Sequence, residues 1–221
     1  MIELRNIGKA YGRGPNRHVV CDALSAVFDG SADVGILGAN GSGKSSLLRM
    51  IAGMELPDRG QITRSVRVSA PLGYSAGFHP TLTARENVAF LARLQGADPA
   101  GIIRFVRDFA EIGAHFDQPL QTYSNTMRAR VTYAMSIAIE ADFYLIDEVT
   151  SVGDVGFKRK CLAALAERRR RAGLIMASQS AANVRRFCST VVILDGGRLH
   201  AFHSADEAVE AYQNRIAVTD A

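Results

Sequence analysis

Cysteine is scarce: Cys21, Cys161 and Cys188 are an odd number at wide spacing. They suggest neither a disulfide framework nor a cysteine-based zinc site, and the expected setting is a reducing cytosol. Long apolar runs are missing as well. A stretch such as Thr190 to Leu194 is strand-sized, far short of the roughly 20 residues of a membrane-spanning helix. No leader is expected, because Glu3, Arg5 and Lys9 interrupt the N-terminus and no apolar segment follows. Internal repeats and low-complexity tracts are absent too. The net charge of +4 permits contact with phosphates or an anionic surface without requiring either, and no nucleic-acid partner is expected. Even the run Arg168 to Arg171 falls in the last turns of a predicted helix, where cations complement the dipole. What remains is a chain of 221 residues, 48% hydrophobic, which suits one domain or a core with one subdomain.

The pattern alternates. Strands are expected at Ile2 to Ile7, His18 to Phe28, Val34 to Leu37, Gln61 to Ser69, Phe143 to Ile146, Leu174 to Ala177 and Thr190 to Leu194. Asp29-Gly30 turns the second strand, and Asp195-Gly196-Gly197 makes a hairpin into Arg198 to Phe202. Helices are expected over Ser45 to Ala52, Phe157 to Arg171 and Ala181 to Phe187. Thr83 with Glu86, and Ser204 with Glu207, have capping-box spacing ahead of two more. Asp98-Pro99 opens another as N-cap and first residue, and Ser124 caps a helix running to Glu140. Strands alternating with helices imply an α/β fold with a mostly parallel, helix-covered sheet. The helices from about 83 to 140 have no strand between them and form a separate helical subdomain, the core being about 1–80 and 140–221.

The most informative stretch is Gly38, Ala39, Asn40, Gly41, Ser42, Gly43, Lys44, Ser45 and Ser46, which directly follows an apolar strand. It matches G-x-x-x-x-G-K-[ST], in which glycines bring backbone N–H groups against phosphate oxygens at the head of a helix. Lys44 then reaches the β- and γ-phosphates, and Ser45 is a suitable Mg²⁺ ligand. A nucleoside triphosphate with Mg²⁺ is therefore the expected ligand. The second informative pair ends FYLIDE. Ligands collect at the carboxyl ends of parallel strands, so Asp147 is placed to hold Mg²⁺ with Ser45, and Glu148 to deprotonate the attacking water.

In the order Tyr11, GANGSGKSS, helical insert, YSNTM, FYLIDE and SVGD (Ser151 to Asp154), the chain resembles the ATP-binding subunits of ABC transporters over nearly its whole length. The resemblance implies a P-loop NTPase core with an N-terminal antiparallel β part, and a dimer that sandwiches ATP. In that arrangement Ser124, Asn125 and Thr126 present a helix N-terminus to the nucleotide held by the other copy. The same resemblance implies that Tyr11 stacks on adenine. GFHPTLTARENV, YSNTMRAR, SIAIEADFYLIDEVTSVGD and the final helix resemble the branch exporting capsular or other long polysaccharides. That implies an integral membrane permease as partner and a place on the cytoplasmic face of the bacterial inner membrane, with Pro71 to Glu86 as the docking segment. Three positions depart from the family pattern. Asn125 and Thr126 stand where the signature has two glycines, Gln179 replaces a switch histidine at the γ-phosphate, and SAGFH at Ser75 to His79 lacks the usual lobe-linking glutamine, leaving His79 as its candidate. Slow basal ATP hydrolysis is the expectation. The alternatives are an ATP-binding regulatory or scaffold subunit with little hydrolysis, and a soluble phosphoryl-transfer enzyme sharing only the phosphate loop.

Overall fold

The computed structural model describes residues 1–29, 32–75, 77–148 and 154–219. Gly30 of the expected turn, Ala76 of SAGFH and Ser151 to Gly153 of SVGD lie outside the described residues. In chain order the elements are β1 (Ile2–Tyr11), β2 (His18–Phe28), β3 (Asp33–Leu37), α1 (Lys44–Ile51), β4 (Arg59–Arg64), β5 (Val68–Pro71), α2 (Ala84–Leu94), α3 (Pro99–Ala110), α4 (Asn125–Ala138), β6 (Phe143–Asp147), α5 (Val155–Arg169), β7 (Gly173–Ser178), α6 (Ala181–Phe187), β8 (Thr190–Asp195), β9 (Arg198–Ala201) and α7 (Ala205–Thr219). They fall into two compact units: Met1–Pro71, Ala141–Val149 and Arg171–Ala221 in one, Leu72–Glu140 and Thr150–Arg170 in the other.

The first unit holds two sheets. One is antiparallel, in the order β2-β1-β4, and the other runs β5-β6-β7-β3-β8-β9, parallel except for the β8–β9 hairpin. β7 is buried along its whole length and β6 up to Asp147, which is why both are uninterrupted apolar runs with no alternation. Ile2, Leu4 and Ile7 of β1, Leu47, Leu48 and Ile51 of α1, and Phe143, Leu145 and Ile175 form one apolar cluster. Gly35 lets α6 approach β3, since a Cβ there would lie 2.2 Å from a Val184 methyl.

Two strand assignments change. β1 continues to Tyr11, because register shifts between Leu4 and Lys9 and the positive φ of Asn6 (50°) break the alternation that would have revealed its second half. Gln61 to Ser69 is not one strand. β4 pairs antiparallel with β1 and β5 parallel with β6, and between them Ser65 is tied by its N–H and hydroxyl to the Met1 carbonyl at 3.1 Å each. The chain changes sheet there, and nothing in its β-branched composition marks the change.

The second unit is helical, and its ends are capped by side chains. Thr83 and Glu86 form the complete capping box: Glu86 N–H donates to Thr83 Oγ1 at 3.1 Å, and Thr83 N–H donates to Glu86 Oε2 at 2.9 Å. Buried Asn87 donates to the carbonyls of His79, Leu82 and Thr83 and accepts the His79 N–H at 2.6 Å, fixing the entry to α2. Asp98 caps α3 and Ser124 caps α4. The unit also takes Thr150–Arg170, which strand–helix alternation assigns to the core. Phe157 of α5 packs edge-on against Phe109 at 5.7 Å, Arg130 of α4 lies 4.4 Å above the Phe157 ring, and Tyr133 donates to the Cys161 carbonyl at 2.9 Å. Arg168 serves a helix other than its own, donating to the Ile137 and Ala138 carbonyls at the end of α4. Thr83→Ala removes the acceptor for Glu86 N–H and one of the two Thr83 donors to the Glu86 carboxylate, the backbone N–H remaining. It should cost about 1–2 kcal/mol in urea denaturation, with catalysis by the first unit's groups spared.

Candidate functional site

The site begins where β3 ends. Gly38 is buried, and a Cβ on it would meet Ser42 Oγ at 2.5 Å and the Leu194 carbonyl at 2.8 Å. Ser42 N–H closes onto the Ala39 carbonyl at 3.2 Å, leaving Ala39, Asn40 and Gly41 exposed at the tip. Gly41 (φ 80°) and Gly43 (φ 99°) have backbone angles that glycine takes without penalty. Gly43 is also the N-cap of α1, whose first turn contains no acid. The first N–H groups of a helix precede any intrahelical acceptor, so Lys44, Ser45 and Ser46 offer donors at the positive end of the dipole. The Ser42 hydroxyl is buried with no hydrogen-bond partner among the described residues.

Lys44, only 7% exposed, folds back over this loop and donates to the Gly38 and Ala39 carbonyls, each at 2.8 Å. Burial draws its ammonium below the ordinary lysine value, and the charges of Glu148 and Asp147 act in the opposite sense. The reason those carboxylates reach it is the strand order. β7 lies between β6 and β3, with Asp147 level with Ala177 and Leu37 level with Ser178. The phosphate loop and the two acids thus leave the same end of one parallel sheet, the place where such sheets bind ligands.

Glu148 is held tightly. Its backbone turns to φ 58°, its N–H donates to the Ala177 carbonyl at 2.8 Å, and its carboxylate accepts from Gln179 N–H (2.8 Å) and the Ser178 hydroxyl (2.9 Å). Gln179 therefore meets Glu148 through its backbone. Tyr212 of α7 is within electrostatic reach, since burial first and the Glu148 charge second raise its phenol above the usual value.

Tyr11 comes from the end of β1 and is 38% exposed. Its hydroxyl lies 2.9 Å from Ser46 Oγ and 2.5 Å from Glu55 Oε1, and Arg49 donates to both Tyr11 and Ser46. Ser46 is thereby committed through its side chain, leaving its N–H as the group it can offer an anion. Opposite Tyr11 on β2, His18 has Nε2 3.0 Å from the Gly41 carbonyl. Sequence reasoning missed His18, Arg49, Glu55 and Ser178. Only Ser178 carried a signal, a hydroxyl residue ending a wholly apolar strand. Ser124, Asn125 and Thr126 belong to the second unit, where all three are exposed. Ser124 Oγ accepts Met127 N–H at 3.2 Å, which leaves the hydroxyl proton free to donate. His79, there too, holds its ring against Thr81 Oγ1 at 2.8 Å.

The sequence profile of the family described as ABC transporter matches residues 22–151, from β2 through the phosphate loop to just beyond Glu148. The chain belongs to the ABC transporter family. Among ABC proteins it is 38% identical over 219 residues to the polysialic acid transport ATP-binding protein KpsT of Escherichia coli, covering 98% of this chain and 100% of that one. It is 36% identical over 214 residues to the capsule polysaccharide export ATP-binding protein CtrD of Neisseria meningitidis serogroup B, covering 97% and 99%. The fold is that of the ATP-binding cassette MJ0796, solved as a dimer in a post-hydrolysis state bound to ADP and Pi. The TM-score is 0.76 at 20% identity, covering 93% of this chain and 99% of that one. The chain is thus an α/β P-loop ATPase of the ABC type, similar to the capsule-export branch. Among the described residues no helix is long and apolar enough to cross a membrane.

Proposed function

We propose that this chain binds and hydrolyses ATP to drive export of capsular or another cell-surface polysaccharide, working as two copies around the nucleotide and against an integral membrane permease at the cytoplasmic face of the bacterial inner membrane. The observation that carries the hydrolytic part is the placing of Lys44, Asp147 and Glu148 at one end of the sheet, close enough for the two acids to act on the lysine's charge. The polysaccharide rests on the names of relatives matched along almost their full length, and the permease on their being transport and export ATP-binding proteins while no described helix of this chain is long and apolar enough to cross a membrane.

The donor set suits magnesium triphosphate. The tip glycines, the N–H groups of Lys44, Ser45 and Ser46, and the Lys44 ammonium bind the phosphates, while Ser45 and Asp147 supply the hard oxygens magnesium prefers. When bound, the metal neutralises charge on the phosphate oxygens. Glu148, fixed by β7, takes the proton from the attacking water. The exposed Tyr11 ring stacks on the base, and Ser124 with the N–H groups of Asn125 and Thr126 addresses the other copy's nucleotide. An ATP-binding scaffold with little hydrolysis, suggested by Thr126 and Gln179, is not favoured by these relatives.

Deleting the chain from its host should trap long-chain polysaccharide inside the cell, and restoring the parent should return it to the surface. Normal surface polymer in the deletion strain would overturn the transport reading. Gln179→His should raise phosphate release by about tenfold, the rate equivalent of one charge-assisted hydrogen bond to the phosphate. No gain, or a loss, would acquit Gln179 as the weak point.

A further inference from the structure

Ser178 is the last residue of β7, fully buried between β6 and β3. Burial of a hydroxyl in an otherwise apolar strand is costly unless its hydrogen bonds are made, and both are. The hydroxyl donates to Glu148 Oε2 at 2.9 Å, and its oxygen accepts Ser180 N–H at 3.0 Å. With Ser180 N–H occupying one lone pair and an acceptor-only carboxylate opposite, the hydroxyl proton points at Glu148. Ser180 is itself immobilised as the N-cap of α6, accepting Asn183 N–H at 3.3 Å. Gln179 N–H holds the other carboxylate oxygen at 2.8 Å, and the Glu148 backbone is pinned to Ala177 at 2.8 Å. Two consecutive residues, Ser178 and Gln179, therefore grip the carboxylate, while Ala177 before them holds the Glu148 backbone. Of those contacts, the Ser178 hydroxyl is the side chain that mutation can remove without disturbing the sheet.

We infer that Ser178 is a positioning residue for hydrolysis, aiming the Glu148 carboxylate through the chain Ser180 N–H to Ser178 hydroxyl to Glu148 Oε2. This rests on the reading of Glu148 as the general base. Ser178 touches neither nucleotide nor water in this role, so it acts on kcat and not on nucleotide affinity. A carboxylate kept on one oxygen only can swing, and the proton transfer loses its alignment.

The test is a double-mutant cycle on the full 221-residue chain, read as single-turnover phosphate release and ATP binding, with thermal melts beside them. Ser178→Ala should slow turnover about ten- to a hundredfold, the equivalent of one hydrogen bond to a charged group, with ATP affinity unchanged. Ser178→Thr, which keeps the hydroxyl, should recover most of that loss. In a Glu148→Gln background Ser178→Ala should bring no further slowing, because the residue it aims no longer takes a proton. Turnover in Ser178→Ala equal to the parent, or the same fold-loss repeated in the Glu148→Gln background, would overturn the inference. A loss of ATP affinity in step with turnover would overturn it as well. A Glu148→Gln chain that turns over like the parent would instead sink the general base itself, and Ser178's role with it.

Discussion

Glu148→Gln should leave ATP binding intact while lowering phosphate release by about 10²- to 10⁴-fold, the usual share of a general base. The substitution isolates chemistry from structure unusually well at this position. Glutamine has the volume of glutamate and retains an acceptor oxygen for Gln179 N–H, now 2.8 Å from Oε1. On its other side the Ser178 hydroxyl, 2.9 Å from Oε2, can rotate to accept from the amide NH₂. The backbone at φ 58° is unchanged, and neither Lys44 nor the loop glycines are touched. Folding should therefore survive, and ATP-dependent self-association with it. The readouts are single-turnover phosphate release, equilibrium ATP binding and sedimentation with and without ATP. Turnover within a few-fold of the parent would remove Glu148 from the chemistry. Loss of binding together with turnover would make it a structural group. In cells, the same variant should trap polysaccharide as the deletion does.

What could be read in advance followed local rules. Each of the predicted caps, Thr83, Asp98, Ser124 and Ser204, accepts a backbone N–H at the head of its helix, because capping is decided within four residues. The buried strands β6, β7 and β8 were legible as short apolar runs. The phosphate loop was legible because a glycine-lined anion nest tolerates few sequences. What escaped was non-local. Arg64 donates its Nε to the Ile51 carbonyl at 2.6 Å, closing the end of α1 from β4, and no spacing in the sequence forecasts that. The change of sheet at Ser65 and the bulged second half of β1 depend on which strand lies alongside. The grip of Ser178 on Glu148 joins residues 30 positions apart and follows from the order β6-β7-β3, a fact of topology. Tyr11 shows the limit: the resemblance points to stacking on adenine, and nothing in the sequence forecast its tether to Glu55, Ser46 and Arg49.

Gly43→Ala should damage the protein twice over, and comparison with Gly41→Ala separates the two kinds of damage. Both glycines have positive φ, 80° at Gly41 and 99° at Gly43, so alanine is strained at either, by about 1–3 kcal/mol. At Gly41 a Cβ would project into open space, and strain is the whole cost. At Gly43 it would lie 2.7 Å from Val20 Cβ and 2.8 Å from the Val20 carbonyl, atoms of a buried residue of β2 that cannot swing aside. The loop must move instead, and it carries the N-cap of α1 with it, so the N–H groups of Lys44 and Ser45 lose their aim. Strain and overpacking together should cost about 2–4 kcal/mol of stability, a fall of about 5–12 °C in Tm for a chain of this size. ATP affinity should drop about a hundredfold or more, because several phosphate donors shift together. Gly41→Ala should lower Tm by less, through strain alone, and keep measurable ATP binding. Equal effects at the two positions would mean that the approach of β2 to the loop has no part in shaping the phosphate site. A Gly43→Ala chain with parental Tm and affinity would show that the nest does not need a bare Cα at the head of α1.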